Sequence, residues 1–469
     1  MNNTVTRFAP SPTGNLHIGG IRTALINFIV TEQAKKKYPN SKFLLRIEDT
    51  DKKRSKESFK ESIINGINWL GINYNNQIYN QSENIQRHQK IAFQLLENNK
   101  AFKCICSQAD IQKRRDENLK KNKDIKRLCE NCETNDKIQK VEKNFVIRIK
   151  IPKLGSLKIN DIVQGNINIE NKEIDNFILL RSDGSPTYLL SAVVDDFDMG
   201  INIIIRGDDH INNAFRQQYI YLGMNWSIPL YAHIPLIYGQ DGKKLSKRHG
   251  AVDINEFKEK GYLKESIINN LILLGWSPNN KNEFINLDEI INTFKISKIS
   301  KSPSIFDYKK LNHFNNYYLR KNENLNLFIN YCNKNKKLNY FYQKDEKKIM
   351  KIFEVYKKNL NYFQELENIC PLYYDENYKT KKNILLDENF NKILNIFIVK
   401  LEQITLWENE IINNVVNDFI KNNNIKFIIF GKPLRLTLIN SKNGPTITDI
   451  LYILEKKDSI IRLKNYINS

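Results

Sequence analysis

Apolar and polar positions follow two rhythms along this chain of 469 residues. From Val5 to about Leu96, short apolar runs such as Val5 to Phe8 and Phe43 to Ile47 alternate with stretches whose apolar residues recur every third or fourth position. That pattern predicts parallel strands wrapped by helices, the helical spacing lying in IRTALINFIVTEQA, SFKESIINGINWLG and ENIQRHQKIAFQLLENN. VEKNFVIRIKIP and LKINDIVQGNINIE read instead as strands joined by turns, an α+β interruption. The parallel-sheet pattern resumes from Asp175 to Gly223. There, Ser182 to Pro186 predicts a tight turn, Ala192 to Val194 a buried strand ending at Asp195 and Asp196, and IIIRGDDH another strand ending in charge. From Ile254 onward helical periodicity dominates, and polar segments such as NKNKKLNY predict loops between helices.

The junction between the first strand and the first helix, RFAPSPTGNLHIGG, is punctuated by Pro10, Pro12 and Gly14, which predicts a sharp, rigid turn. A turn of that kind presents backbone N–H groups at a positively polarised helix start, and Gly19 and Gly20 leave that backbone open to a phosphate. A plain surface turn is the competing reading. FLLRIEDTD and IIIRGDDH deliver Arg46, Glu48, Asp49 and Asp51, then Arg206, Asp208, Asp209 and His210, to strand ends where open α/β sheets bind ligands. In IYGQDGKKLSKRHGA, Gly239, Gly242 and Gly250 surround Lys243, Lys244, Lys247 and Arg248, a hinged cationic loop able to close over a polyphosphate.

Length suggests about three or four domains. A formal net charge of +21 favours a polyanionic partner, although the abundance of Asn, Lys and Ile also fits solvated basic faces. The first residues carry neither a secretory nor a transit pattern, and no apolar run approaches the roughly 18 residues of a membrane span, so a cytoplasmic protein without a membrane partner is expected. Cys104, Cys106, Cys129 and Cys132 form a CxC followed by CxxC. That set can close a four-thiolate tetrahedral site typical of structural zinc, with no position left for a catalytic water; ordinary reduced cysteines are the alternative.

Taken together, the motifs resemble class I aminoacyl-tRNA synthetases in the form found in glutamyl-tRNA synthetases of the bacterial zinc-bearing type. RFAPSPTG…HIGG is similar to the HIGH-type signature and KLSKR to the KMSKS-type loop, and RIEDTD, GSPTY, VVDD, RGDDHINN and KKLSKRHGA follow in the family's order. The likeness is close over about the first three hundred residues. It is looser beyond them, in NLILLGW, Phe306 to Leu319, GKPLRLTL and GPTITDILYILEKK.

The fold this implies is α/β: a Rossmann-type parallel-sheet catalytic domain with an inserted α+β zinc-bearing acceptor-stem domain and an all-α C-terminal region. Expected boundaries are 1–100 and 191–240 for the two catalytic halves, 101–190 for the insertion with the Cys cluster, 241–320 for the KMSKS-type loop and helical stem-contact domain, and 321–469 for a helical anticodon-binding region. The implied activity is ATP-dependent ligation of L-glutamate to the 3′ end of tRNA(Glu) through glutamyl-adenylate, releasing AMP and diphosphate. Mg2+ would accompany ATP, one structural Zn2+ would sit in each chain, the chain would be monomeric, and tRNA(Gln) is left open as a second acceptor.

By the same resemblance, His17, Lys244 and Lys247 are catalytic. Pro10, Ser11, Thr13, Gly14, His17, Gly19, Gly20, Asp208, Leu245 and Lys247 bind ATP; Arg7, Ala9, Ser11, Glu48, Tyr188 and Arg206 bind glutamate; Cys104, Cys106, Cys129 and Cys132 hold the metal. Arg7 and Arg206 are the candidate cations for the substrate's second carboxylate, and Glu48 the partner of its α-amino group. Ala192 stands where some members carry Asn, and Asn131 where the fourth metal ligand commonly lies, so that ligand is assigned to Cys132. Two other readings are weaker. A truncated paralogue that glutamylates a modified anticodon base lacks the long helical C-terminal part seen here, and a non-catalytic RNA-binding protein would not need His17, Gly19, Lys244 and Lys247.

Overall fold

The computed structural model describes residues 3–468 apart from 76, 124, 244, 246–252, 279–281, 322–323, 376–377 and 380–387. The expected loop residues Lys244 and Lys247 lie outside the described residues. The chain divides into two compact units, one of Met1–Phe257 with Lys264–Lys310, the other of Lys258–Leu263 with Leu311–Ser469.

The first unit starts with β1 (Val5–Phe8), α1 (Ile18–Lys35) and β2 (Lys42–Ile47), the two strands pairing in parallel with Arg7 opposite Leu44. Phe43, Leu44, Leu45 and Ile47 are all buried, as a strand covered on both faces requires. Helix α1 buries apolar residues around most of its circumference, including Ile18, Ile21, Leu25, Phe28 and Ile29. α2 (Glu57–Trp69), β3 (Tyr79–Asn80) and α3 (Ile85–Glu97) follow, β3 extending the parallel order β1-β2-β3.

An antiparallel region then intervenes, with β4 (Ala101–Cys104), α4 (Gln108–Lys120), α5 (Glu130–Glu133), α6 (Asp136–Gln139), β5 (Val146–Ile149), β6 (Ser156–Asp161), β7 (Gly165–Glu170) and β8 (Ile178–Leu180). β4, β5 and β8 form one sheet and β6–β7 a hairpin, while Ser107 and Asp110 close a capping box at the start of α4. The turn expected at Ser182 to Pro186 is present, Gly184 taking φ +79°.

Ala192 to Val194 form no strand. They lie inside α7 (Tyr188–Asp198), whose residues from Leu190 to Asp196 are all buried. A short apolar run fits either element, and burying both following aspartates removes the polar stripe that would have marked a helix. β9 (Ile203–Gly207), α8 (Ile211–Gly223) and β10 (Leu230–Ile234) restore the parallel pattern, β9 lying beside β1. Leu44, Ile91, Val194, Ile204, Phe215 and Ile220 share one core. β11 (Ile237–Tyr238), α9 (Ile254–Lys260), α10 (Lys264–Ile272), α11 (Leu287–Thr293) and β12 (Ser304–Ile305) follow, and α12 (Tyr308–Leu319) belongs from Leu311 onward to the second unit.

The second unit is helical: α13 (Leu325–Lys334), α14 (Lys336–Lys344), α15 (Glu346–Tyr356), α16 (Leu366–Tyr374), α17 (Glu388–Glu402), α18 (Asn409–Asn422), α19 (Phe427–Ile439) and α20 (Ile447–Ile467). Its core includes Phe328, Phe353, Phe397, Leu434 and Leu451. The loop expected at NKNKKLNY shrinks to Asn335, whose side chain accepts from the N–H groups of Lys337 and Leu338 and so starts α14 at once. Most aromatic residues of this unit therefore pack inward, Phe328 stacking on Phe353 at 4.2 Å.

Candidate active site

The carboxyl ends of β1, β2, β9 and β10 open into a cleft of about 1280 Å3. It is lined by Arg7, Ala9, Pro10, Ser11, Thr13, Gly14, His17, Gly19, Gly20, Glu48, Tyr188, Arg206 and Leu245. Sequence reasoning singled out all of these. Asp208 stands apart, because its carboxylate accepts from the Leu236 backbone and faces Arg22, whereas Asp209 lines the cleft.

At one end the Pro-rich turn is pinned from outside. Glu48 N–H donates to Pro10 O at 2.9 Å, Lys56 N–H to Pro12 O at 3.1 Å, and Thr13 N–H to Ser11 O at 2.8 Å. His17 then caps α1, its Nδ1 accepting from Gly20 N–H at 3.3 Å. A neutral imidazole that accepts through Nδ1 carries its proton on Nε2. A Cβ on Gly19 would stand 3.2 Å from the His17 ring, so a side chain there would push against the cap. No acidic residue occupies the first turn of α1.

The other end is built on buried charge. Arg7 forms a two-pronged pair with Asp196, Nε to Oδ1 at 3.0 Å and Nη2 to Oδ2 at 3.3 Å. Asp196 also receives Arg46 Nη1 at 2.6 Å, and Arg46 Nη2 reaches Glu48 Oε1 at 3.1 Å. The neighbouring Asp195 is held by His88 at 2.6 Å and Gln81 at 2.7 Å. Burial pushes the Asp196 carboxyl upward, but Arg46 and Arg7 outweigh it and hold the group below the usual range. For Glu48 burial wins over Arg46, and its carboxyl is raised. Arg46 stays firmly charged, since Asp196, Glu48 and Asp195 together overcome the cost of burial.

Arg206 differs from the other two. It is only 6% exposed, yet its partners are neutral: His233 Nε2 at 3.2 Å, Tyr188 Oη at 3.4 Å and the His210 carbonyl at 3.4 Å. Among the described residues no carboxylate lies within ion-pair distance of it. His210 itself is pushed down to about 4, first by burial and then by Arg206, and adds no charge at neutral pH. A buried guanidinium without a counterion in a cleft is arranged to receive an anion.

Arg46 and Asp196 were expected only as polar groups at strand ends, with no role assigned, and His233 was missed as part of the site. The available signals were a lone arginine inside the apolar run KFLLRI and a double aspartate in an otherwise apolar segment. His233 carried no local signal.

Away from the cleft, the Sγ atoms of Cys104, Cys106 and Cys132 lie within 4.8 Å of one another, with Cys106 and Cys132 at 3.3 Å. Cys129 hydrogen-bonds to Cys104, and all four thiols share one small cluster. Tetrahedral Zn–S bonds of about 2.3 Å place sulfurs roughly 3.8 Å apart, so the Cys104, Cys106 and Cys132 trio is compatible with such an ion, while Cys129 falls outside the 4.8 Å mutual distance. Among the described residues no helix is long and apolar enough to cross a membrane.

Comparison with known proteins gives a consistent picture. Residues 3–313 match the model for class I tRNA synthetases (E and Q), catalytic domain, and residues 325–467 match an anticodon binding domain. Glutamate–tRNA ligase 2 of Ehrlichia chaffeensis is 40% identical over 99% of this chain and 98% of its own length. Glutamate–tRNA ligase 1 of Bartonella tribocorum is 37% identical over 98% of each chain. The crystal structure of a glutamate tRNA ligase from Elizabethkingia meningosepticum in complex with its amino acid superposes with a TM-score of 0.83 at 25% identity, covering 100% of both chains.

Proposed function

Because the chain belongs to the class I tRNA synthetases for glutamate and glutamine, we propose that the two ends of the cleft serve two substrates, ATP at the start of α1 and glutamate over Arg206. The protein is an ATP-dependent ligase that charges tRNA with glutamate. The observation that carries the placement of glutamate is Arg206, a buried cation whose partners among the described residues are all neutral.

In the first step the α-carboxylate of glutamate attacks the α-phosphorus of ATP and displaces diphosphate. The carboxylate is ionised at neutral pH and needs no base. Catalysis reduces to in-line placement and to stabilising charge on the phosphate. His17 through Nε2–H, the backbone of Gly19 and Gly20, and the turn from Pro10 to Gly14 hold the nucleotide; Lys244, Leu245 and Lys247 are assigned to ATP by their place in the KMSKS-type motif. Mg2+ accompanies ATP and offsets phosphate charge. Arg206 pairs with the side-chain carboxylate, Tyr188 and Arg7 flank it, Ala9 and Ser11 border the pocket, and Glu48 takes the α-amino group. In the second step a ribose hydroxyl of the terminal tRNA adenosine attacks the acyl carbon, and AMP leaves.

The wider assignment follows the same reading. Residues 1–100 and 191–240 make the catalytic domain, 101–190 grip the acceptor stem, 241–320 carry the KMSKS-type loop and contact the stem, and 321–469 bind the anticodon. The enzyme works in the cytoplasm as a monomer, and anticodon contacts decide whether tRNA(Gln) is also charged. Charging assays with purified tRNA(Glu) and tRNA(Gln) test this directly. Absence of glutamyl-tRNA from the full chain overturns the assignment.

Lys247→Ala is expected to slow single-turnover adenylate formation by about 10^2-fold, as loss of one transition-state charge contact does. An unchanged rate would remove Lys247 from the chemistry. Cys104, Cys106, Cys129 and Cys132 would hold one zinc, which would serve structurally by tying β4 to the segment before α6. Metal analysis is expected to find about one zinc per chain, released by thiol modification. A content below about a tenth of that in metal-replete protein rules the site out.

A further inference from the structure

Arg206 is not fixed by its own strand alone. His233 lies directly opposite it in the β9–β10 register and accepts Arg206 Nε–H at Nε2. On its other side, His233 Nδ1–H donates to Asp161 Oδ2 at 2.7 Å. Asp161 ends β6 at the tip of the β6–β7 hairpin, far from β9 in sequence. Its carboxylate also accepts the backbone N–H groups of Val163 at 2.9 Å, Gln164 at 2.8 Å and His233 at 3.0 Å. Ile162 N–H to Tyr231 O at 2.9 Å and Gln164 Nε2 to His233 O at 3.0 Å seat the hairpin tip on β10.

The chemistry of this chain of contacts is directional. With so many donors around it, Asp161 stays ionised and accepts only; burial works against the charge, but His233 and the backbone N–H groups outweigh it. An acceptor at that place puts the His233 proton on Nδ1 and leaves Nε2 as a bare lone pair. Burial then holds His233 below its ordinary range and keeps the ring neutral. Arg206 has donors only, so its Nε–H needs an acceptor to be buried. A carboxylate in that place would cancel the guanidinium charge, whereas imidazole satisfies the bond and leaves the charge intact. Tyr231 completes the support, its ring parallel to His233 at 5.8 Å and facing Arg206 at 5.9 Å.

We propose that His233, locked by Asp161 of the β6–β7 hairpin, is a positioning residue that sets the plane of the Arg206 guanidinium and leaves its charge for an anionic substrate side chain. The proposal rests on the reading that Arg206 receives the glutamate carboxylate. It makes the hairpin part of amino-acid selection.

Two polar variants of the full chain separate the halves of the contact. Gln places an oxygen where Nε2 stands and keeps the acceptor for Arg206; Asn reaches Asp161 but leaves Arg206 Nε–H unanswered. In steady-state charging with saturating ATP and tRNA, His233→Asn is expected to raise the glutamate KM about tenfold, with the ATP KM and kcat within about twofold, the loss of one charge-assisted hydrogen bond. His233→Gln is expected to stay within about threefold of the parent. Equal glutamate KM values for the two variants, a reversed order, or an ATP KM that rises in step overturns the proposal. Side-chain 15N NMR of the unmutated full chain gives a reading independent of how the variants fold: an unprotonated Nε2 on His233 is expected, and a protonated Nε2 overturns it. Failure of the parent enzyme to charge glutamate would instead bring down the reading of Arg206.

Discussion

With glutamate placed over Arg206 as proposed, replacing Arg206 with leucine is expected to lower kcat/KM for glutamate charging by about 10^3-fold, because removing one partner of a buried charge pair costs about 4 kcal/mol in the complex. The effect falls on glutamate and not on ATP. The preference for glutamate over glutamine collapses as well, since a pocket without the cation no longer rewards a negative side chain. Stability should move in the opposite direction. The free protein holds this guanidinium on neutral partners, His233, Tyr188 and the His210 carbonyl, so an apolar replacement relieves a desolvated charge and leaves the thermal midpoint level or higher. A stable variant with a catalytic loss under about tenfold would hand the carboxylate to Arg7.

Asp196→Ala gives the reverse pattern. Asp196 is the common counterion of Arg7 and Arg46, and among the described residues its removal leaves Arg7 without a carboxylate and Arg46 with Glu48 and the longer Asp195 contact. Breaking a buried pair from one side costs about 3–5 kcal/mol, read as a fall of roughly 10 °C in thermal midpoint. Asp196→Asn, which keeps an acceptor of the same shape, should lose distinctly less. Equal midpoints for the alanine variant and the parent would mean that Asp196 contributes no counter-charge to the fold.

What was legible in the sequence depended on local chemistry. The turn at Pro10, Pro12 and Gly14 announced itself because prolines and glycine restrict the backbone wherever they stand, and the parallel strands because both their faces are buried. α7 was read as a strand since its polar residues, Asp195 and Asp196, are themselves interior and give no amphipathic stripe. Their partners lie on β1, β2 and α3, and nothing within a short window reveals that pairing. The same holds for Arg206, His233 and Asp161, which only sheet register and hairpin docking bring together. The cysteine spacing was informative because each close pair keeps its thiols near one another in the chain, and Cys104, Cys106 and Cys132 do come together.

The lattice around Asp196 also bears on how the chain is made. Arg7 and Arg46 precede their shared counterion by 189 and 150 residues. At ribosomal speeds of about 5–20 residues per second, β1 and β2 emerge roughly 10 to 40 seconds before the charge that lets them close. Until then burial of the two arginines lacks its shared counter-charge and is disfavoured. The buried end of the cleft therefore waits on a residue made late, and a nascent chain stalled ahead of Asp196 lacks the counterion that Arg7 and Arg46 share.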